Sequence, residues 1–326
     1  MVLLRNNLIN REAAPSLLIP NSYLLSCNGV SAMKKLFPII FLLLLSSCRI
    51  RDTARLRSVE TIGVDYADGC YTLSISTGEG NDELPGLHLS GSGETLEAAM
   101  NTLEEQSDGQ ELFYAHCRYV VLGENALPAL PGLFDRFERA PELRMALPLF
   151  CCRGKAETLV TDEENEVGSL LRSLTESAES SGTCHIYTLL DCDRSLREEG
   201  YALCAAIDDE ELSGYALLGG DTILYSTPEA AIGLTLLRAG LEYARLSIPV
   251  GDAYAAVETE KCHSSLCRYS LRELPSEVSE EELNAAVEAY LYSVTEAAAA
   301  FLGTECGTSY HAQLIRGYDL TRSHAP

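Results

Sequence analysis

The feature that most constrains this chain is the order of its hydrophobic periodicities between residues 59 and 160. Val59 to Val64 and Cys70 to Ser76 are β-branched and aromatic runs around Asp68-Gly69, which predicts two strands joined by a tight turn. Residues 77–92 are Gly-rich and predict a loop with room for one short strand. Leu96, Ala99, Met100 and Leu103 then fall at i, i+3, i+4 and i+7, one face of a helix. Leu112 to Leu122 predicts a mostly apolar strand, buried on both faces if it lies mid-sheet. Leu127, Leu130, Leu133, Phe134 and Phe137 form a second helical stripe that closes near Pro141. Leu143 to Cys151 is a fourth strand, and Lys155 to Val160 opens a short helix. Strand, strand, helix, strand, helix, strand, helix is the signature of mixed β-sheets flanked by helices, an α/β (α+β) fold.

Beyond that block, Glu163 to Ser180 predicts an acidic helix with Val167, Leu170, Leu171 and Leu174 on its buried face. The Ser/Gly-rich stretch Ser177 to Thr183 predicts a linker, with a further domain beginning near Leu196 to Ala202. Leu212 to Leu218 and Thr222 to Tyr225 flank Gly219-Gly220-Asp221 as a hairpin. Pro228 stands at the first position of a helix capped by Ser226 or Thr227. Strands are expected around 242–250, 253–260 and 264–271. The best-defined helix follows: Ser279 and Glu282 make a capping box, Leu283, Ala286, Val287, Tyr290, Leu291, Val294 and Phe301 repeat at three and four, and Gly303 ends it. The expected organisation is multi-domain, with an N-terminal α/β domain at 59–195 and a C-terminal α/β region at 196–326. That last region has room for two small subdomains.

Upstream of the body, residues 33–48 read MKKLFPIIFLLLLSSC. Met33 and the Lys34-Lys35 pair precede an apolar run from Leu36 to Leu45, followed by the small residues Ser46 and Ser47 and then Cys48. Ten apolar residues are too few for a bilayer core that needs about 20, so the segment reads as a cleaved export signal. Leu45-Ser46-Ser47-Cys48 resembles the bacterial lipobox, in which the cysteine thiol takes a diacylglyceryl group before the signal (here 33–47) is removed. Two acyl chains give stable anchoring where one gives marginal binding. Residues 1–32 are then expected to be an upstream extension, with translation starting at Met33. Residues 48–58 form a basic linker, with Arg49, Arg51, Arg55 and Arg57 opposed by Asp52. These arginines fit anionic head groups and an ordinary solvated linker about equally.

Charge narrows the partners. Of the 24 Lys and Arg, four (Arg5, Arg11, Lys34, Lys35) precede Cys48, and of the 48 acidic residues only Glu12 does. A chain starting at Cys48 carries 20 basic against 47 acidic side chains, a net charge of −27. Such a body is repelled by phosphate backbones, which argues against nucleic-acid binding. Of the twelve cysteines, Cys151 and Cys152 are adjacent and Cys117 and Cys204 sit in apolar runs. A body of this size does not need staples, so free thiols are expected rather than a disulfide framework.

A search for chemistry returns nothing concerted. His88, His116, His185, His263, His311 and His324 show no i, i+4 ligand pairing, and there is no H-E-x-x-H. Cys262-His263 with Cys267 places three potential metal ligands within six residues, with only Cys306 and His311 as a loose second cluster. Cys184-His185 and Asp191-Cys192-Asp193 are weaker metal candidates. There is no G-x-S-x-G, no P-loop and no dinucleotide fingerprint. His116 reads as a structural histidine before it reads as a base. No catalytic, cofactor or metal residue is expected.

Three segments resemble the C-subunit lipoproteins of spore germinant receptors, the Ger(x)C or GerAC-like family. Ile62-Gly63-Val64-Asp65 with CYTLSIS is similar to the family's first hairpin. Gly91-Ser92-Gly93-Glu94-Thr95 through LFYAHCRYVVLGENAL (112–127) resembles its helix and the apolar strand ending in Gly-Glu. FDRFERAPELRMALPLFCCRGKAETL (134–159) resembles its helix, acidic turn, strand and glycine-lysine-alanine helix start. YALLGGDTILYSTPEAAIGLTLLRAG (215–240) and the helix from Ser279 are similar to later parts of the family. The chain departs from the pattern at Arg49, where a tryptophan is usual, and at Ala115, where a glycine is usual; it also stops at Pro326, before strands that members usually have. The resemblance implies a non-enzymatic lipoprotein, anchored through Cys48 on the outer face of the spore inner membrane. It implies action in nutrient-triggered germination with membrane-embedded A and B receptor subunits. A surface-anchored solute-binding lipoprotein and an extracellular hydrolase are the alternatives.

Overall fold

β1 (Leu56–Ala67) and β2 (Cys70–Thr77) form the expected hairpin in the computed structural model, with Val64 opposite Leu73 and Ala67 opposite Cys70. Asp68 and Gly69 at its tip both have positive φ (53° and 81°), the conformation of the two-residue turn that suits strand twist. The structure describes residues 56–78, 86–162, 166–263, 265–273, 278–305 and 307–315. Residues 33–47, read above as an export signal, Cys48, Cys306 and His324 lie outside them. All the described residues fall in one compact unit.

β3 (His88–Gly93) pairs with β2, the short strand the loop had room for. Helix α1 (Leu96–Gln106) is capped by Thr95, whose hydroxyl accepts from the Ala98 N–H, and it buries the four residues that predicted it. The strand expected over Leu112 to Leu122 is broken. β4 (Glu111–Phe113) and β5 (Tyr119–Leu122) are separated by a 3-10 turn at Tyr114–His116. Both run parallel to β1, β4 beside Leu56–Ser58 and β5 beside Thr61–Val64. The intervening chain has more residues than β1 has positions, and the turn takes up the excess.

Helix α2 (Leu130–Arg139) follows as expected, but the next strand, β6 (Leu149–Cys152), is shorter than the predicted Leu143 to Cys151. α3 (Ala156–Val160) and α4 (Val167–Ser181) come next, α4 ending on Gly182 in the left-handed region. Sequence reasoning missed two elements. α5 (Leu189–Glu199) has a Thr188/Asp191 capping box and a left-handed Gly200. β7 (Ala202–Asp208) pairs parallel with β6. β8 (Glu211–Leu218) and β9 (Leu224–Tyr225) complete the sheet.

Among the described residues this sheet has nine strands in the order β3-β2-β1-β5-β6-β7-β8-β9, with β4 beside β1. It takes strands from both sides of position 195, because β7 sits next to β6. β5, β6 and the body of β7 are buried throughout, as parallel strands covered on both faces must be. Strand alternation sorts their side chains. Val120, Leu122, Leu149, Cys151, Cys204 and Ala206 face α1, α2 and α5. Val121, Phe150, Cys152, Ala205 and Ile207 face α3 and α4. Each buried Leu or Phe contributes about 1.5–3 kcal/mol, so the two faces hold the layers without any cross-link.

Helix α6 (Pro228–Arg238) leads to β10 (Arg245–Val250), β11 (Ala253–His263), β12 (Leu266–Glu273), α7 (Glu280–Leu302) and β13 (His311–Leu314). These strands form a second sheet, β10-β11-β12-β13, covered by α7 through Leu283, Val287 and Leu291. α6 and α7 pack closely. A Cβ on Gly233 would stand 1.9 Å from the Val294 carbonyl oxygen, so only glycine permits that approach.

Candidate functional site

Ile62-Gly63-Val64-Asp65, Gly123-Glu124 and the segment from Arg153 to Leu159 meet at the carboxyl ends of β1, β5 and β6. Asp65, the last residue of the Ile62-Gly63-Val64-Asp65 strand motif, accepts the Ala156 N–H at 2.9 Å and the Glu157 N–H at 2.7 Å. Those are first-turn donors of α3, which have no partner within their own helix. The Gly123 N–H donates to the Val64 carbonyl at 2.9 Å, and the Glu124 N–H to the Gly154 carbonyl at 2.9 Å. The Gly154 N–H returns a bond to the Glu124 carboxylate at 3.1 Å.

Two glycines make the junction possible. A Cβ on Gly123 would lie 1.8 Å from Asp65 Oδ1, and one on Gly63 would lie 2.2 Å from Ser74 Oγ and 3.0 Å from Val160. Burial raises the Asp65 carboxyl above its ordinary range, against the pull of the two N–H donors. With both oxygens engaged, Asp65 is a clamp between β1 and α3. Alongside, Arg153 pairs with Asp208 at 2.9 Å and lies 4.6 Å above the Tyr225 ring, whose hydroxyl donates to the Cys152 carbonyl at 3.0 Å. This end of the sheet is tied internally by charge-assisted and backbone bonds.

At the opposite end, around the start of β1, a cleft of about 660 Å³ is lined by Arg57, Arg118, Arg144, Arg172, Glu60 and His116, among others. Glu60 is largely buried and holds Arg118 at 3.1 Å and Arg172 at 3.7 Å. Arg57 donates to Gln110, and Arg144 donates to the Cys117 carbonyl at 2.9 Å. Four arginines against the two carboxylates Glu60 and Glu166 make this a cationic spot on a strongly acidic chain. Ser58 Oγ and His116 Nδ1 are 3.0 Å apart at its edge, within reach for proton exchange. Among the described residues no carboxylate bonds to His116 to orient its ring, so the pair lacks the third member of a nucleophilic triad.

The remaining candidates disperse. His88 Nδ1 bonds the Val160 carbonyl at 3.0 Å, His185 stacks edge-on to Tyr187, and His311 lies 3.9 Å from Glu288. Asp191 closes the capping box of α5, Cys192 donates to the Leu203 carbonyl, and Asp193 pairs with Arg197 at 2.9 Å; they are local helix contacts. Burial pushes the thiols of Cys117, Cys151, Cys152 and Cys192 up to about 12. Protonated at neutral pH, they behave as packed apolar groups. Among the described residues no group of three or more His, Cys, Asp or Glu is placed to hold a metal ion. No helix among them is long and apolar enough to cross a membrane.

Neither a curated protein nor a solved structure matches the chain. A family model does: the spore germination protein N-terminal domain matches residues 50–207, ending at Ile207 in β7. It spans β1, β5, β6 and β7 and every group of the Asp65 clamp. Residues 50–207 are a spore germination protein N-terminal domain, which supports a GerAC-like family for the chain.

Proposed function

We propose that this chain is the lipoprotein subunit of a spore germinant receptor, anchored by a diacylglyceryl group on Cys48 and acting by assembly with membrane-embedded A and B subunits. One observation carries the proposal: the family match begins at residue 50, two positions beyond a cysteine that ends a lipobox-like segment. Eight residues lead from Cys48 to Leu56, so the start of β1 stays within roughly 30 Å of the lipid even with the linker fully extended. The cationic cleft is at that start, and an acidic body needs such an anchor because its overall charge gives it no affinity for anionic lipid. The role is non-enzymatic: the body is a rigid, acidic partner presented at the outer face of the spore inner membrane.

In the source organism, Cys48→Ala should abolish metabolic incorporation of palmitate and move the protein from the membrane to the soluble fraction. Nutrient-triggered germination should fall, and antibody pull-down of the multi-helix receptor subunits should be lost. Retention in the membrane without palmitate, or full germination of a deletion strain lacking redundant copies, overturns the proposal. The Ser58–His116 contact is the one observation favouring a hydrolase. Normal germination of a Ser58→Ala, His116→Ala double variant excludes that reading.

A further inference from the structure

Cys262 and Cys267 stand directly opposite each other on β11 and β12. The Cys262 N–H and carbonyl both bond to Leu241 on the far side, at 2.8 and 2.7 Å. In an antiparallel ladder both backbone groups of a residue point the same way, so toward β12 Cys262 forms a non-hydrogen-bonded pair. Such pairs bring Cα atoms to about 4.5 Å with side chains closest. That falls inside the window of about 4.4–6.8 Å that a disulfide requires. Both residues are fully buried, and both are free thiols. Other buried thiols are occupied elsewhere: Cys117, Cys192 and Cys204 donate to carbonyls, and Cys151 meets the Tyr225 hydroxyl.

We propose that Cys262 and Cys267 are a disulfide-forming pair that staples the β11–β12 hairpin. The oxidant is a low-molecular-weight disulfide or a protein of the same chemical class. One cysteine, as thiolate, attacks a sulfur of that disulfide; its S–S bond breaks, and one thiolate leaves and takes up a proton. The second cysteine, deprotonated in turn, attacks the mixed disulfide, forms the Sγ–Sγ bond and releases the second thiol. Two electrons and two protons thus pass to the oxidant. The Cys267 thiol beside it and burial push the Cys262 thiol well above its ordinary value, so attack requires the hairpin end to open or occurs during folding. Cys267 also pairs with Ala312 of β13, and the Ser265 carbonyl accepts the His311 N–H at 2.7 Å. The staple therefore secures the edge on which β13 is laid.

Trypsin provides a direct reading, because Lys261 and Arg268 bracket both cysteines in one peptide, residues 262–268. The purified full-length chain is incubated in a glutathione–glutathione disulfide buffer, natively and in parallel through unfolding and refolding. It is then denatured in excess N-ethylmaleimide and digested. The expected peptide is two hydrogens lighter than its reduced form, unreactive to maleimide, and able to take two maleimides after reduction. Cys262→Ser should leave Cys267 alkylated or glutathionylated. A wild-type peptide carrying two maleimides in both arms, or either cysteine linked to a different one, overturns the proposal, and neither readout depends on the variant folding.

Discussion

Asp65 serves the residue scale best, because its role follows from which atoms it touches. Both carboxylate oxygens accept first-turn N–H groups of α3, and among the described residues no other side chain bonds to those donors. Asp65→Ala leaves two partly buried donors unpaired, which should lower stability by about 1–3 kcal/mol. The shift is measurable as a lower urea midpoint with an unchanged slope. Its place at the end of a strand motif was legible in the sequence. Its partner was not: Ala156 lies 91 residues further along, and no local pattern reports a contact at that separation. The same holds for Cys262 and Cys267, whose spacing shows a hairpin while only the register makes them neighbours.

At the scale of elements, α7 shows how much local rules can carry. Its Ser279/Glu282 capping box, apolar stripe and left-handed Gly303 all stand as expected from sequence. Hydrogen bonds from the Ser279 backbone and then its hydroxyl hold the Glu282 carboxyl below its ordinary value of 4.5. A depressed carboxyl stabilises the fold fully above that value and loses the contribution as pH falls through the folded pKa. Glu282→Gln should therefore lower the melting temperature above pH 4.5, with the gap to wild type closing as acid is added. Thermal melts of both proteins from pH 7 to pH 3 check it. α5 was missed although its Thr188 cap and Gly200 stop are present. Its buried face is Leu189, Cys192 and Asp193, and an aspartate on that face hides the stripe until Arg197 is seen to pair with it. The broken strand at Tyr114–His116 was missed for another reason: the turn contains no Gly or Pro to mark a break between the apolar runs on either side.

On the scale of the whole molecule, the two sheets share helices. Leu203 and Tyr215 of the first sheet cluster with Ala231 and Leu234 of α6 and Ala298 of α7, while Leu236 of α6 and Leu291 of α7 lie in the core of the second. The described body should therefore unfold in one cooperative transition. Far-ultraviolet circular dichroism and near-ultraviolet tyrosine signals should share one urea midpoint, and two separated midpoints would show independent sheets. The sequence by itself determined the strand and helix periodicities, the caps, the strongly acidic charge, and the apolar segment that precedes Cys48. Tertiary structure alone decided that β7 lies beside β6, that β8 and β9 extend the same sheet past position 195, and that Asp65 closes on α3. Helices and caps are bonded within a few residues and so can be read along the chain. A strand's hydrogen-bond partner is remote, and it is chosen only when the buried faces of all the layers are matched together.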